Sequence, residues 1–435
     1  MHRHLPAACG ERQRDLAAQP SGGAGHENNG RSGGWVHQAR ARGWSQVNRR
    51  QLLPVTTMTN LPILTSDLQD HLARAIADAI KAAGGWIGFD QFMGLALYTP
   101  GLGYYANDSR KFGLMPAGLK TGDGGGSDFV TAPELSARFG HALARQLAQA
   151  LQATGTAEIW EFGAGSGALA LQILQAIGPQ IERYTIVELS GSLRERQRTL
   201  LAAHGHKVQW LSELPQRMRG VVHGNEVLDA MPVKLLNRLN GVWHERGVAL
   251  HQDQLTYADQ ATDLRPPFEV VGSHDYLSEI HPQAEGFIRT LADRLEAGAI
   301  FLLDYGFPEH EYYHPQRSMG TLMCHRAHRA DADALADVGS KDITAHVNFT
   351  GIALAGQDAG LQVLGYTSQG RFLINCGLLD GMEEATFADR AMVQKLVNEH
   401  EMGELFKVIA FAAKHTALAD WEALGFSAGD RTHTL

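Results

Sequence analysis

From Ile159 to Leu174 the chain reads IWEFGAGSGALALQIL: an apolar strand carrying Glu161, a turn with Gly163, Gly165 and Gly167, and the start of an apolar helix. A strand that runs through glycines into a helix N-terminus brings bare backbone N–H groups up to a ligand, which is how nucleotide-like cofactors are held. The next apolar run, Tyr184 to Leu189, carries Glu188. That carboxylate falls roughly 20 residues beyond the glycines, where an acid can take both hydroxyls of a ribose.

The pattern E-x-G-x-G-x-G departs from the dinucleotide fingerprint G-x-G-x-x-G. Gly167 comes one position early, and the turn carries its own acid, Glu161. An acid there repels a pyrophosphate but suits a cationic amino-acid end such as that of S-adenosylmethionine. Ala168 also satisfies the relaxed form G-x-G-x-x-A, so an NAD-dependent oxidoreductase stays open as the alternative.

The chain has 435 residues, 44% hydrophobic and 20% charged, enough for one large or two medium domains. A formal net charge of -9 argues against nucleic acid or an anionic membrane as partner, since both need a basic face. No stretch approaches the roughly 18 uninterrupted apolar residues that span a bilayer. Cys9, Cys324 and Cys376 are too few and too scattered for a disulfide framework, which favours a reducing compartment. Residues 1–57 are rich in Gly, Arg and His with little apolar periodicity, and are expected to be a disordered or spurious extension, with translation beginning at Met58.

Residues 58–155 are expected to form a helical N-terminal cap with covering loops. Its first helix places Leu68, Leu72, Ile76 and Ile80 on one stripe, and Thr131 to Glu134 fits a capping box for a helix carrying Leu135, Phe139, Leu143, Leu147 and Leu151. Strand and helix then alternate across an expected core, 156–415, which implies a parallel sheet with helices on both faces. An insertion at about 236–280 carries two alternating runs that read as a β-hairpin, and 416–435 is a tail.

With these segments in place, the chain resembles the family of S-adenosylmethionine-dependent methyltransferases typified by the mitochondrial protein arginine methyltransferase that assists complex I assembly. The resemblance is carried by GLGYY from Gly101, SDFVTAPELSARFG from Ser127, EFGAGSGAL from Glu161 and GNEVLDAMPV from Gly224. LLDYGF from Leu302, GTLMCHRAH from Gly320 and DITAHVNFT from Asp342 complete it. It implies a Rossmann-like class I α/β fold: a mostly parallel seven-stranded sheet whose final strand is antiparallel, with a helical cap. It also implies S-adenosyl-L-methionine as cofactor and methyl transfer to an arginine of a protein, a complex I subunit by analogy. A cytoplasmic bacterial setting is expected, with the mitochondrial matrix as alternative. A non-catalytic assembly factor that keeps the cofactor pocket is a further alternative; the oligomeric state stays open.

Gly163, Gly165 and Gly167 would admit the methionine portion of the cofactor and Glu188 its ribose; Glu161 either contacts it or supports the turn from below. Asn225, Glu226 and Asp229 lie at the carboxyl end of the fourth core strand, where open parallel sheets place their ligands, although Asn and acids also suit a plain helix start. Glu226 and Asp229 are the candidate catalytic carboxylates and Asn225 a cofactor contact. Asp128 and Glu134 flank the cap and are candidate substrate contacts, with a simple capping role open for Glu134. Tyr104, Tyr105 and Tyr305 offer aromatic faces for a cation, although core packing explains one or two of them as well. Cys324, His325 and His328 lack the second half of a metal site, so no metal is expected.

Overall fold

A computed structural model of the chain describes residues 66–107, 131–326, 329–416 and 421–435. The N-terminal extension, Asp128 and His328 lie outside the described residues. The described chain enters through helix α1 (Ser66–Ala82), strand β1 (Trp86–Gly88) and helix α2 (Phe89–Tyr98). On α1, Leu72, Ile76 and Ile80 are buried with Phe89, Phe92 and Met93, as their spacing predicts.

A one-turn helix α3 (Ala132–Leu135) precedes the long helix α4 (Ala137–Thr154). The T-x-x-E pattern predicts one continuous helix here, and the structure corrects it. Ser136 is extended, at φ -156°, and its side chain accepts the Arg138 N–H to cap α4, whereas Thr131 makes no side-chain cap. The apolar stripe survives the break: Phe139, Leu143, Leu147 and Leu151 are all buried.

The chain then alternates through β2 (Glu158–Phe162), α5 (Ala168–Ile177), β3 (Arg183–Val187), α6 (Gly191–Leu200), β4 (Val208–Leu211) and β5 (Met218–Asn225). Strands β6 (Lys234–Leu239), β7 (Val242–His251), β8 (Gln254–Ala261) and β9 (Tyr276–Ile280) follow, then α7 (Pro282–Arg294) and the long β10 (Leu295–Phe307). Next come α8 (Glu309–Tyr312), β11 (Met323–Arg326), β12 (Arg329–Asp331), β13 (Asp342–Thr344), β14 (Val347–Asn348) and α9 (Phe349–Asp358). The last elements are β15 (Gln362–Ser368), α10 (Gln369–Asn375), α11 (Phe387–Val397), α12 (Met402–Leu405) and β16 (Phe406–Ala412).

The main sheet runs β15-β16-β10-β5-β2-β3-β4, with the two-residue β14 added beside β10, so it has eight strands where seven were expected. Only β16 runs against its neighbours. Successive strand residues face opposite layers: Val221 packs with α4 and α5, and Val222 with α7 and α9.

The expected hairpin is part of something larger. Strands β7 and β8 belong to a five-stranded antiparallel sheet, β1-β7-β6-β9 with β8 on β7. An isolated hairpin is marginal in water; here β6 and β1 pair with successive stretches of the β7 edge opposite β8, and Val248 and Leu235 are buried against the cap helices. A small sheet, β12-β11-β13, completes the described strands. Residues 421–435 cover the β15 edge, where Asp430 Oδ1 accepts the Tyr366 N–H at 2.9 Å and Arg431 N–H donates to the Tyr366 carbonyl at 2.6 Å.

Candidate active site

The carboxyl ends of β2, β3, β5 and β10 open on one cavity of about 1250 Å³, the place where open parallel sheets hold ligands. The glycine turn forms one wall. Gly163, Gly165 and Gly167 all lie in the left-handed region, at φ 63°, 53° and 86°, which a side chain disfavours. Gly163 and Gly165 line the cavity; Gly167 stands behind it as N-cap of α5, its N–H closing the turn onto the Ala164 carbonyl at 2.8 Å.

Glu161 lines the same wall yet is 1% exposed, and its Oε2 accepts the Tyr184 hydroxyl at 2.7 Å. Burial pushes its pKa up to about 8, Tyr184 pulling down and Glu188 adding to the rise. Glu188, at the end of β3, accepts the Ser190 N–H at 2.9 Å and Gln197 Nε2 at 3.3 Å. Burial raises its pKa too, against those donors.

Beyond β5, the segment NEVLD does not start a helix, which removes the capping explanation for its polar residues. It forms an irregular turn instead, organised by a residue the sequence reading passed over. Asp304, near the end of β10, takes the backbone N–H groups of Val227, Leu228 and Asp229 on Oδ2 at 3.1, 2.8 and 3.2 Å, and that of Tyr305 on Oδ1 at 2.9 Å. The turn sets Glu226 at φ 57°, a strained position for a non-glycine residue that structures keep mainly at functional sites. Asn225 Nδ2 donates to Glu226 Oε1 at 2.8 Å. Burial, then Asp229, pushes Glu226 up to about 8; burial pushes Asp229 up to about 6, against the Tyr305 hydroxyl bonded to it. Asn225 Oδ1 and Asp229 Oδ1 are buried with no hydrogen-bond partner, and such orphans call for a ligand, an ion or a water.

The opposite wall is aromatic and acidic. Tyr98 and Tyr105 stack at 5.6 Å, Tyr105 donates to Asp342, and Tyr305 and His346 meet edge to face at 5.0 Å. Burial lowers the His346 pKa to about 4, so its ring is neutral at pH 7.

Two expected substrate contacts are elsewhere. Tyr104 is 1% exposed in the core of the cap, and its neighbour Tyr105 faces the cavity, because adjacent residues of that loop point to opposite sides. Glu134 lines a separate polar groove rather than this cavity; it is bonded to the Ser166 hydroxyl and the Thr131 backbone N–H, which ties α3 to the glycine turn. Tyr305 lines the cavity, as expected. Tyr105 lines it too, as expected, whereas Asp304 and Asp342 were missed, although Asp304 had the same signal as Glu188, an apolar run ending in an acid.

Among the described residues no group of three or more His, Cys, Asp or Glu is arranged to hold a metal ion, and no helix is long and apolar enough to cross a membrane. Cys324 is buried in the cap core while adjacent His325 lines the cavity. Five carboxyls line the cavity (Glu161, Glu188, Glu226, Asp229 and Asp342), with no lysine or arginine among the described lining residues. Such a site fits a cationic ligand: a positive charge would favour ionisation of Glu161 and Glu226, which burial and neighbouring acids push up to about 8.

Residues 142–367, just over half of the chain, match the family model described as S-adenosyl-L-methionine-dependent methyltransferase. A protein from Burkholderia thailandensis, solved bound to S-adenosyl-homocysteine, is 45% identical, with a TM-score of 0.79 over 86% of this chain and 100% of that one. Among curated relatives, the mitochondrial protein arginine methyltransferase NDUFAF7 of Danio rerio is 24% identical over 85% of this chain and 92% of its own length. The Homo sapiens protein of that name is 27% identical over 78% and 82%. The glycine turn, the acid-lined cavity and these matches agree: the chain belongs to the family of S-adenosyl-L-methionine-dependent methyltransferases.

Proposed function

We propose that this methyltransferase acts on an arginine side chain of a protein. The observation that carries the reading is the pairing of Glu226 and Asp229 with Asp342 and three tyrosines around one cavity with no lysine or arginine among its described lining residues. A guanidinium is always charged, binds carboxylates through paired N–H donors and stacks on aromatic faces. The names of the curated relatives support the same acceptor.

When bound, S-adenosyl-L-methionine supplies a methyl group on a positively charged sulfur. Gly163 and Gly165 admit its methionine portion, Gly167 closes the turn behind them, Glu188 takes the ribose hydroxyls, and Glu161 and Asn225 contact the amino-acid end. Glu226 and Asp229 hold the guanidinium and aim one nitrogen along the transfer line. A protonated guanidinium must lose a proton as that nitrogen gains a carbon, and Asp229 Oδ1, buried and unpartnered, is the acceptor for it. Alignment of this kind contributes on the order of 7–11 kcal/mol in favourable cases. Tyr305 holds Asp229 by its hydroxyl, and Tyr98 and Tyr105 bound the guanidinium on the cap side.

The mitochondrial names of the curated relatives favour the mitochondrial alternative over the cytoplasmic expectation. The test is incubation of the protein with labelled S-adenosylmethionine and host extract, with the label mapped by mass spectrometry. Label on arginine that disappears in the Glu226→Gln, Asp229→Asn double variant, with S-adenosylhomocysteine binding retained, is the expected result. Label on another residue type or on a small molecule would refute the acceptor.

A further inference from the structure

Beneath the glycine turn, three buried side chains from adjacent strands stand in a line. Tyr184 on β3 places its hydroxyl 2.7 Å from Glu161 Oε2 on β2 and 3.0 Å from His223 Nε2 on β5. Tyr184 and His223 are 0% exposed. Glu161 and His223 are register partners across β2 and β5, and Tyr184 reaches in from the level of Ile159 on the other side.

Once Glu161 is ionised, hydrogen-bond chemistry fixes the direction of the chain: the carboxylate only accepts, so the single Tyr184 proton goes to Glu161, and the phenol oxygen accepts from His223 Nε2–H. That tautomer leaves Nδ1 bare, and Nδ1 is the buried His223 atom with no partner. The histidine is neutral, since burial lowers its pKa to about 3. Apolar side chains would fill the centre of a sheet at no desolvation cost. The polar line therefore has a use, and the end that reaches the cavity is Glu161.

We propose that Tyr184 and His223 are positioning residues that hold Glu161 from behind, so that its carboxylate, beside Gly163, receives the ammonium of the donor's amino-acid end. The proposal rests on placing the methionine portion at the glycine turn. The titratable groups facing Glu161 are Tyr184 and Glu188 from β3 and His223 from β5, none of them a cation. With its pKa at about 8, Glu161 is mostly protonated at pH 7 in the free protein. An arriving ammonium expels that proton, and the Tyr184 hydroxyl lowers the cost of doing so.

Calorimetry with S-adenosylhomocysteine in buffers of different ionisation enthalpy counts the protons released. This ligand is chosen because its sulfur is uncharged, which leaves the ammonium as its only cation. Glu161→Gln is expected to remove on the order of one proton from the wild-type count at pH 7. Tyr184→Phe, which keeps the ring, is expected to weaken binding roughly tenfold at pH 7, with recovery as the pH is raised. His223→Leu, which removes the N–H from the phenol, is expected to weaken binding in the same direction as Tyr184→Phe, and His223→Gln, which retains an N–H there, to recover it. Wild-type affinity and proton count in Tyr184→Phe would overturn the proposal. Should that variant not fold, an unchanged proton count in Glu161→Gln would overturn it equally. A wild-type protein that does not bind S-adenosylhomocysteine at all would instead overturn the cofactor placement, and this proposal with it.

Discussion

The Tyr105 hydroxyl lies 2.9 and 2.8 Å from the two carboxyl oxygens of Asp342, joining residues 237 positions apart across the mouth of the acid-lined cavity. Tyr105 comes from the loop after α2 and Asp342 from β13, so the cap and the small sheet reach the proposed acceptor side together. Tyr105→Phe is therefore expected to raise the KM for the protein acceptor severalfold, and Asp342→Asn to raise it further, while S-adenosylhomocysteine affinity stays at the wild-type value. A loss of cofactor affinity matching the loss of acceptor binding would contradict that division, and isothermal titration alongside steady-state kinetics reads both.

Asp304 offers a different test, because its role is to shape the turn rather than to meet a ligand. Three backbone N–H groups of the NEVLD segment converge on one of its oxygens. Burial and the neighbouring Asp229 and Glu226 push its pKa up, and those donors oppose the push. Asp304→Ala leaves the donors buried without a partner, a cost of roughly 1–3 kcal/mol for each group left unsatisfied. Chemical denaturation should show a loss of that order or more, with methyl transfer falling further than stability because Glu226 and Asp229 lose their placement. Unchanged stability would show that the turn is held by something else.

Gly163→Val tests the cofactor wall. The backbone there has φ 63°, and an added Cβ would meet Val227 Cγ2 at 3.0 Å, so a branched side chain both strains the turn and presses on residues 225–229. A left-handed backbone costs a residue with a side chain roughly 1–2 kcal/mol. Calorimetry with S-adenosylhomocysteine should show a large drop in affinity, and undiminished binding would remove the turn from the cofactor site.

What the sequence revealed of this site is what lies along a single stretch of chain. The turn Gly163 to Gly167, the acid Glu188 and the cluster Asn225 to Asp229 each follow an apolar strand directly, and strand-end chemistry is local. Asp304 obeyed the same rule within LLDYGF and was legible in principle. Tyr104 and Tyr105 were legible only as a pair, since nothing local distinguishes the member that enters the core from the one that faces the cavity. Asp342 sits on a three-residue strand, too short to show a period. The five-stranded sheet escaped for another reason: β1 pairs with β7 across more than a hundred and fifty residues, Trp86 against Ala249, and pairing partners are not written in either strand alone. Tyr184 and His223 carried a visible signal, polar groups within central strands, but the signal does not say what they face.

The raised carboxyls give the last prediction, and its sign can be worked out. Glu226 moves from 4.5 to about 8, first by burial and then by Asp229, and Asp229 moves from 3.8 to about 6, by burial. Between their ordinary and folded values the folded protein holds protons that the unfolded chain has released, so the stability these groups contribute is fully present below about pH 4 and is lost as the pH climbs through 6 and 8. Glu226→Gln removes its share of that loss. The variant should gain stability over wild type at pH 8.5, at a scale of roughly 1.4 kcal/mol per pKa unit and a few kcal/mol at most, and the gain should vanish near pH 4.5. Acceptor binding runs the other way, since a guanidinium needs ionised carboxylates: the wild-type kcat/KM for the protein acceptor should rise from pH 6 to 8, and Glu226→Gln should lose most of it. Urea denaturation at the two pH values and a pH series of acceptor kinetics measure both halves. Equal stability of variant and wild type at pH 8.5 would mean that folding does not raise the Glu226 pKa, and the burial of an uncompensated carboxyl argued for above would be wrong.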